Sequence, residues 1–199
     1  MLENLASRIT SYMIVQGVVP KEDEEIHVFG WTMLLFSLGS SSAILLAGAL
    51  LGQFLGTVLF LLFFTFLRSY AGGWHANSFL KCFLITSALY ACCFLFHFHL
   101  PEAYWSLTIL ILLLLSVFIT FVWGPVDHPN KPFRGGQRET NKKLGRITVS
   151  AQTIIILALG VWQPGLNTYL LWAALGMTVT SLTLLFVVCH PYKTAEGGV

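Results

Sequence analysis

The sequence predicts an all-α integral membrane protein, a polytopic bundle of about six transmembrane helices with an N-terminal amphipathic helix. Three observations carry this expectation. The chain of 199 residues is 56% hydrophobic and only 10% charged. Soluble domains carry about 25% charged residues, so a soluble fold of this size could not hide so much apolar surface. Several runs reach the about 20 apolar residues that a helix needs to cross a hydrocarbon core. The alternation of apolar and polar residues that marks a transmembrane β-barrel is absent.

The start, "MLENLASRITSYMIVQG", places Leu2, Leu5, Ile9, Tyr12 and Met13 at helical spacing. Residues 1–25 therefore read as an amphipathic segment, lying at the membrane interface or packed on the bundle. Glu3 and Arg8 interrupt any apolar signal-peptide core, so no cleavable signal is expected. In "PKEDEEIHVFG", Pro20 and the acidic residues Glu22 to Glu25 suit a helix N-terminus, where Pro fits the first turn and carboxylates complement the dipole.

The apolar stretch from Val28 to Leu67 is too long for one span. It fits two antiparallel spans, or an interfacial helix and a tight hairpin, turning at Gly39–Ser42 or at Gly48–Gly52. Gly48, Gly52 and Gly56 also form a small-xxx-small ridge that could pack two helices or serve a homodimer. Gln53 is the one large polar side chain there and is expected to bond across helices. Further spans are expected at Phe79–Leu100, Trp105–Trp123, Ile147–Val161 and Leu166–Val188. Residues 124–146 read as a polar, basic loop. The whole chain, 1–199, reads as a single membrane domain without internal repeats.

Charge sets the orientation. With six spans, Arg8, Lys21, Arg68, Lys81, Lys131, Arg134, Arg138, Lys142, Lys143, Arg146 and Lys193 all fall on the side of the N-terminus, and the opposite side has Glu102 but no Lys or Arg. The positive-inside rule then predicts a multi-pass cell-membrane protein with both termini, residues 68–82 and the 124–146 loop in the cytoplasm.

Residues 67–82, "LRSYAGGWHANSFLKC", hold the densest polar cluster next to a span. Arg68, His75 and Cys82 lie seven residues apart. On one continuous helix, a rise of about 1.5 Å per residue would separate His75 from Cys82 by about 10 Å. Proton transfer needs about 3 Å or one bridging water. Gly72 and Gly73 permit a bend, and Asn77 and Ser78 suit the N-cap of a new helix. Cys82 then falls in the first turns of that helix, where free N–H groups and the dipole favour a thiolate. Backbone irregularity at membrane depth must be buried in protein or line a wet cavity, a condition that a catalytic pocket meets. A plain Gly-Gly turn with a chance His and Cys would carry the same spacing.

Other candidates are weaker. Cys92, Cys93 and Cys189 lie in or at the ends of apolar runs, where cysteine packs as a small hydrophobe. The four cysteines form no zinc-type spacing. His97 and His99 are placed at the far membrane face with no third ligand nearby. Asp127 and His128 fall in the polar loop, and His190 ends the last helix. No metal and no cofactor are expected.

Arg68 followed by "AGGWHANSFLKC" resembles the active-site segment of the accessory gene regulator B (AgrB) family, bacterial membrane cysteine endopeptidases that process quorum-sensing propeptides. The resemblance extends to the length, the amphipathic start, the span pattern and the basic loop, which begins "GPVDHPNKPF". It implies His75 as general base and Cys82 as nucleophile. Arg68 and Gly73 fall on motif positions without an assigned step. Backbone N–H groups near Gly72–Gly73 or at the helix start are oxyanion candidates, and Asn77, Ser78 or Gln53 could orient His75. The implied partner is an AgrD-like amphipathic propeptide on the inner membrane face, released as a cyclic thiolactone by way of a thioester on Cys82. Lys131, Arg134, Arg138, Lys142, Lys143 and Arg146 would hold its acidic tail or face anionic lipids. No nucleic-acid partner is implied. The competing class is a small-peptide exporter or accessory membrane protein without chemistry. A CAAX-type metalloprotease is disfavoured, because intramembrane Glu and His pairs are missing.

Overall fold

A computed structural model describes residues 2–72, 78–126 and 136–190. The described residues are mostly helical, with no strand among them. Helix α1 spans Leu2–Val15, α2 Glu24–Leu50, α3 Phe54–Ala71, α4 Phe79–His99, α5 Trp105–Trp123, α6 Gln137–Trp162 and α7 Asn167–Cys189. Six segments, one on each of α2 to α7, are long and apolar enough to cross a membrane. The chain divides into two compact units, residues 1–47 and 48–199.

In the first unit, α1 leaves Leu2, Leu5 and Tyr12 exposed while Ala6 and Thr10 are buried. An amphipathic helix does this when its apolar side is left for lipid. Gly17, with φ +69°, ends the turn after α1, and a short 3-10 turn over Lys21–Asp23 leads into α2.

The second unit is built around α7. From Leu170 to Ser181 every residue of α7 is buried, which suits a helix apolar on all sides. α3 and α5 run parallel to α7, and small residues let the backbones approach. A Cβ added at Gly56 would collide with the Trp172 indole, and one at Gly176 with the Phe60 carbonyl. Hydroxyls join the same helices. Ser116 shares a hydrogen bond with Thr178 at 3.2 Å and Thr120 with Ser181 at 3.4 Å, and Thr180 donates to the Phe64 carbonyl at 3.1 Å. Without a hydrophobic driving force between helices in lipid, such close packing and interhelical bonding hold a bundle together.

The first two spans turn at Leu51–Gln53, where Gly52 takes φ +70°, so the Gly48–Gly52 alternative is the one the chain uses. Two members of the glycine ridge pack inside the fold: a Cβ at Gly48 would collide with Thr57, and one at Gly56 with Trp172. Gly52 is exposed, with nothing within 4 Å of an added Cβ. Gln53 does bond across helices, accepting a hydrogen bond from Trp172 Nε1 at 3.3 Å.

One boundary differs from expectation. Helix α6 begins at Gln137, not near Ile147, so the last ten residues of the segment read as a loop, 137–146, are helical. The stretch "QRETNKKLGR" consists largely of good helix formers, and only its polarity argued against a span. The helix extends past its apolar part.

Candidate active site

Five helices have a terminus at one end of the second unit. α3, α5 and α7 end there, and α4 and α6 begin there. The described flanks of the polar cluster, residues 68–72 and 78–82, sit at this end. The middle of the cluster, Gly73, Trp74, His75, Ala76 and Asn77, lies outside the described residues, as do Asp127, His128, Lys131 and Arg134.

On the α3 side, the helix stops at Ala71. Gly72 follows with φ +74° and ψ −152°, and its N–H donates to the Arg68 carbonyl. Side chains rarely adopt this backbone conformation, and the site also lacks room for one: a Cβ would lie 2.7 Å from the Val126 carbonyl oxygen. The break anticipated at the glycine pair is therefore present at Gly72. The Val126 N–H donates to the Ala71 carbonyl at 3.2 Å, pairing the chain after α5 with the end of α3.

Arg68 is half-buried near the end of α3. Its Nη1 donates to Thr183 Oγ1 at 3.4 Å, and its guanidinium lies over the Phe64 ring at 5.3 Å. The Thr183 hydroxyl donates to the Thr180 carbonyl at 2.8 Å, which leaves its lone pairs toward the arginine.

On the α4 side, Ser78 takes the extended N-cap conformation (φ −144°, ψ 139°), although its hydroxyl makes no capping bond. Helix α4 begins at Phe79, and the Cys82 N–H donates to the Ser78 carbonyl at 3.0 Å. Cys82 is thus in the first turn, half-buried and a free thiol, with exposed Lys81 beside it. The other cysteines sit elsewhere: Cys92 and Cys93 in the second half of α4, Cys189 at the end of α7.

The basic residues of α6 divide. Arg138 and Lys143 are exposed and Lys142 is half-buried. Arg146 turns inward, donating from Nη2 to the Phe121 carbonyl at 2.9 Å and stacking over the Phe121 ring at 5.1 Å. Gly145, just before it, packs against Tyr70 and Ala71 in ordinary contact.

The opposite end of the unit holds a second polar group. Tyr90 and Thr57 share a hydrogen bond at 2.6 Å, and His97 Nε2 bonds Thr168 Oγ1 at 3.1 Å. The His97 ring is stacked between Trp105 and Trp172. This arrangement makes His97 an interhelical packing residue. Among the described residues no three His, Cys, Asp or Glu side chains are grouped to hold a metal. Sequence reasoning did not find Thr183 as a neighbour of Arg68, or Val126 as a neighbour of Ala71 and Gly72, because each is brought there by packing over long sequence separations.

The fold and this end of the bundle define a class: a multi-pass helical membrane protein that presents a cysteine in the first turn of a helix, directly after a glycine-broken, polar segment. The chain belongs to the accessory gene regulator B (AgrB) family, whose model matches residues 6–186. It is similar to AgrB-like protein 2 of Clostridium perfringens (strain 13 / Type A), with 26% identity over 169 residues covering 81% of this chain and 78% of the relative. It is also similar to an AgrB-like protein of Clostridium perfringens (strain SM101 / Type A), 24% identical with the same coverage. No solved structure matches the chain.

Proposed function

We propose that this protein is a cysteine endopeptidase that processes an AgrD-like propeptide into a cyclic peptide for quorum sensing, with Cys82 as nucleophile and His75 as general base. The placement of Cys82 carries the reading: it is the cysteine set in the first turn of a helix, four residues after Ser78 and beyond the break at Gly72. Family membership supports it. The one-sided basic residues support a cytoplasmic active site, cytoplasmic termini and the whole chain acting as one membrane domain.

The chemistry proceeds in two transfers. His75 takes the thiol proton, and the Cys82 sulfur attacks a backbone carbonyl of the propeptide. Backbone N–H groups at the start of α4, or near Gly72–Gly73, stabilise the oxyanion. The C–N bond breaks, and the imidazolium returns its proton to the departing amine of the C-terminal tail. The N-terminal part of the peptide stays on Cys82 as a thioester. A thiolate within the peptide then attacks that thioester, and Cys82 leaves. One thioester replaces another, so no ATP is required. Burial in protein and membrane keeps water from the acyl-enzyme. Arg138, Lys142 and Lys143 bind anionic lipid or the acidic tail of the propeptide, a role we extend to Lys131 and Arg134 on their charge alone.

The non-enzymatic exporter has less support. Its pathway would run along polar groups, but the hydroxyls of Thr178, Thr180 and Ser181 donate to backbone carbonyls within the α7 bundle. Co-expression with small amphipathic peptides encoded beside the gene, read by mass spectrometry, tests the proposal. A cyclic product from the parent and uncleaved peptide from Cys82→Ala are expected. A cyclic product from both would overturn it.

A further inference from the structure

Arg146 differs from the other basic residues of α6 in what it touches. Its Nη2 donates at 2.9 Å to the Phe121 carbonyl, in the last turn of α5, and its guanidinium stacks on the Phe121 ring. Its Nε is buried, while the Nη2 end of the guanidinium that bonds the Phe121 carbonyl stays open to solvent. The last carbonyls of a helix lack intrahelical partners and carry partial negative charge, so a cation bonded there is well placed. Five residues beyond Phe121, Val126 pairs with Ala71 and encloses Gly72. Gly145, adjacent to Arg146, is buried beside the backbone of Tyr70 and Ala71, with room there for a Cβ in ordinary contact. The ends of α3 and α5 and the first part of α6 thus form one mechanical unit beneath the Gly72 flank of the polar segment.

We propose that Arg146 is a positioning residue for the active-site segment: by holding the C-terminal end of α5 it fixes Val126, and through Val126 the Gly72 flank from which the chain leads to His75. The inference rests on the reading of His75 and Cys82 as base and nucleophile. Arg146 touches no reacting atom. It narrows the positions that Gly72 can take at the start of the segment that carries the proposed base. Lysine at this position would keep the charge but not the planar group that both stacks on Phe121 and reaches its carbonyl.

The test is the rate of iodoacetamide alkylation against pH, on full-length protein in detergent with Cys82 as its only cysteine. Parent, His75→Ala, Arg146→Met, Arg146→Lys and Ile147→Ala are compared. Ile147 is the exposed neighbour of Arg146 and serves as control. An activated thiol reacts well below the about pH 8.5 midpoint of a free one. Arg146→Met is expected to move the profile toward that free value, Arg146→Lys to move it less, and Ile147→Ala to leave it in place. Identical profiles for parent and His75→Ala would defeat the underlying reading, and this inference with it. A parent that differs from His75→Ala but coincides with Arg146→Met would defeat the inference alone. An equal shift in Ile147→Ala would do the same, since the effect would then be general loosening. If Arg146→Met is not monodisperse, Arg146→Lys decides, and a profile equal to the parent's overturns the proposal.

Discussion

The backbone N–H of Val126 donates to the carbonyl of Ala71 across 3.2 Å, tying the chain that leaves α5 to the last residue of α3. This bond places Val126 against Gly72, whose φ of +74° and ψ of −152° a side chain would strain. Residues held in such glycine-only regions cost of order 1–3 kcal/mol. Gly72→Ala is therefore expected to lower the thermal midpoint in detergent and to reduce propeptide cleavage at least tenfold. Unchanged cleavage would mean that the Gly72 flank does not set the site.

The crossing of α3 with α7 depends on glycine at two positions. Gly176→Ala would press a methyl group into the Phe60 carbonyl, and Gly56→Ala would press one into Trp172. Overpacking of this kind costs about 1–3 kcal/mol. Each variant should melt earlier and accumulate less in the membrane. Gly39, on α2, has no atom within 4 Å of an added Cβ, so Gly39→Ala should be neutral or slightly stabilising. A melting series in one detergent compares the three, and equal stability of all three would contradict the packing described.

Trp172 offers a spectroscopic check of the far end of the bundle. Its indole N–H donates to Gln53 Oε1 at 3.3 Å. Gln53→Leu should shift indole emission and cost about 0.6 kcal/mol, the average for a hydrogen bond between membrane helices. Cleavage should persist, because this end is remote from Cys82. Loss of cleavage without loss of folded protein would argue for coupling between the two ends.

Much of this was legible in the sequence, and the reasons differ by element. Span α5 was read as Trp105–Trp123 because a long apolar run ends at "GPVD" on one side and "HLPEAY" on the other. The break after α3 was visible in Gly72–Gly73, and the start of α4 in Ser78. The start of α6 was misplaced, because polarity was taken to mean loop where helix formers continue the helix beyond the bilayer. The central role of α7 was written in "GMTVTSL", a run of small and hydroxyl-bearing residues that suits interhelical contact. That signal was present but unused. Arg146 was grouped with its exposed basic neighbours, since charge alone does not say which arginine turns inward. The contacts of Arg68 with Thr183 and of Ala71 with Val126 join residues far apart in the chain, and no local pattern encodes them. The expectations for His75, Gly73 and Asn77 lie outside the described residues.

Orientation is tested by single cysteines introduced at Glu102 and Gly136 on a background without native cysteines. These positions lie at opposite ends of the second unit. A membrane-impermeant maleimide should label Glu102→Cys in intact cells and Gly136→Cys only after the cells are opened. External labelling at Gly136→Cys would reverse the proposed topology.

The central claim is that Cys82 carries the peptide as a thioester, and intact-mass spectrometry tests it most directly. The purified protein would be incubated in detergent with a propeptide whose own attacking cysteine is replaced by alanine, so that the acyl-enzyme cannot be relieved by cyclisation. The account predicts a mass increase equal to the N-terminal part of the peptide, removed by hydroxylamine and mapped to Cys82, with the tail free in solution. Cys82→Ala should show neither adduct nor free tail. Cleavage by Cys82→Ala, or an adduct on Cys92, Cys93 or Cys189, would contradict the account.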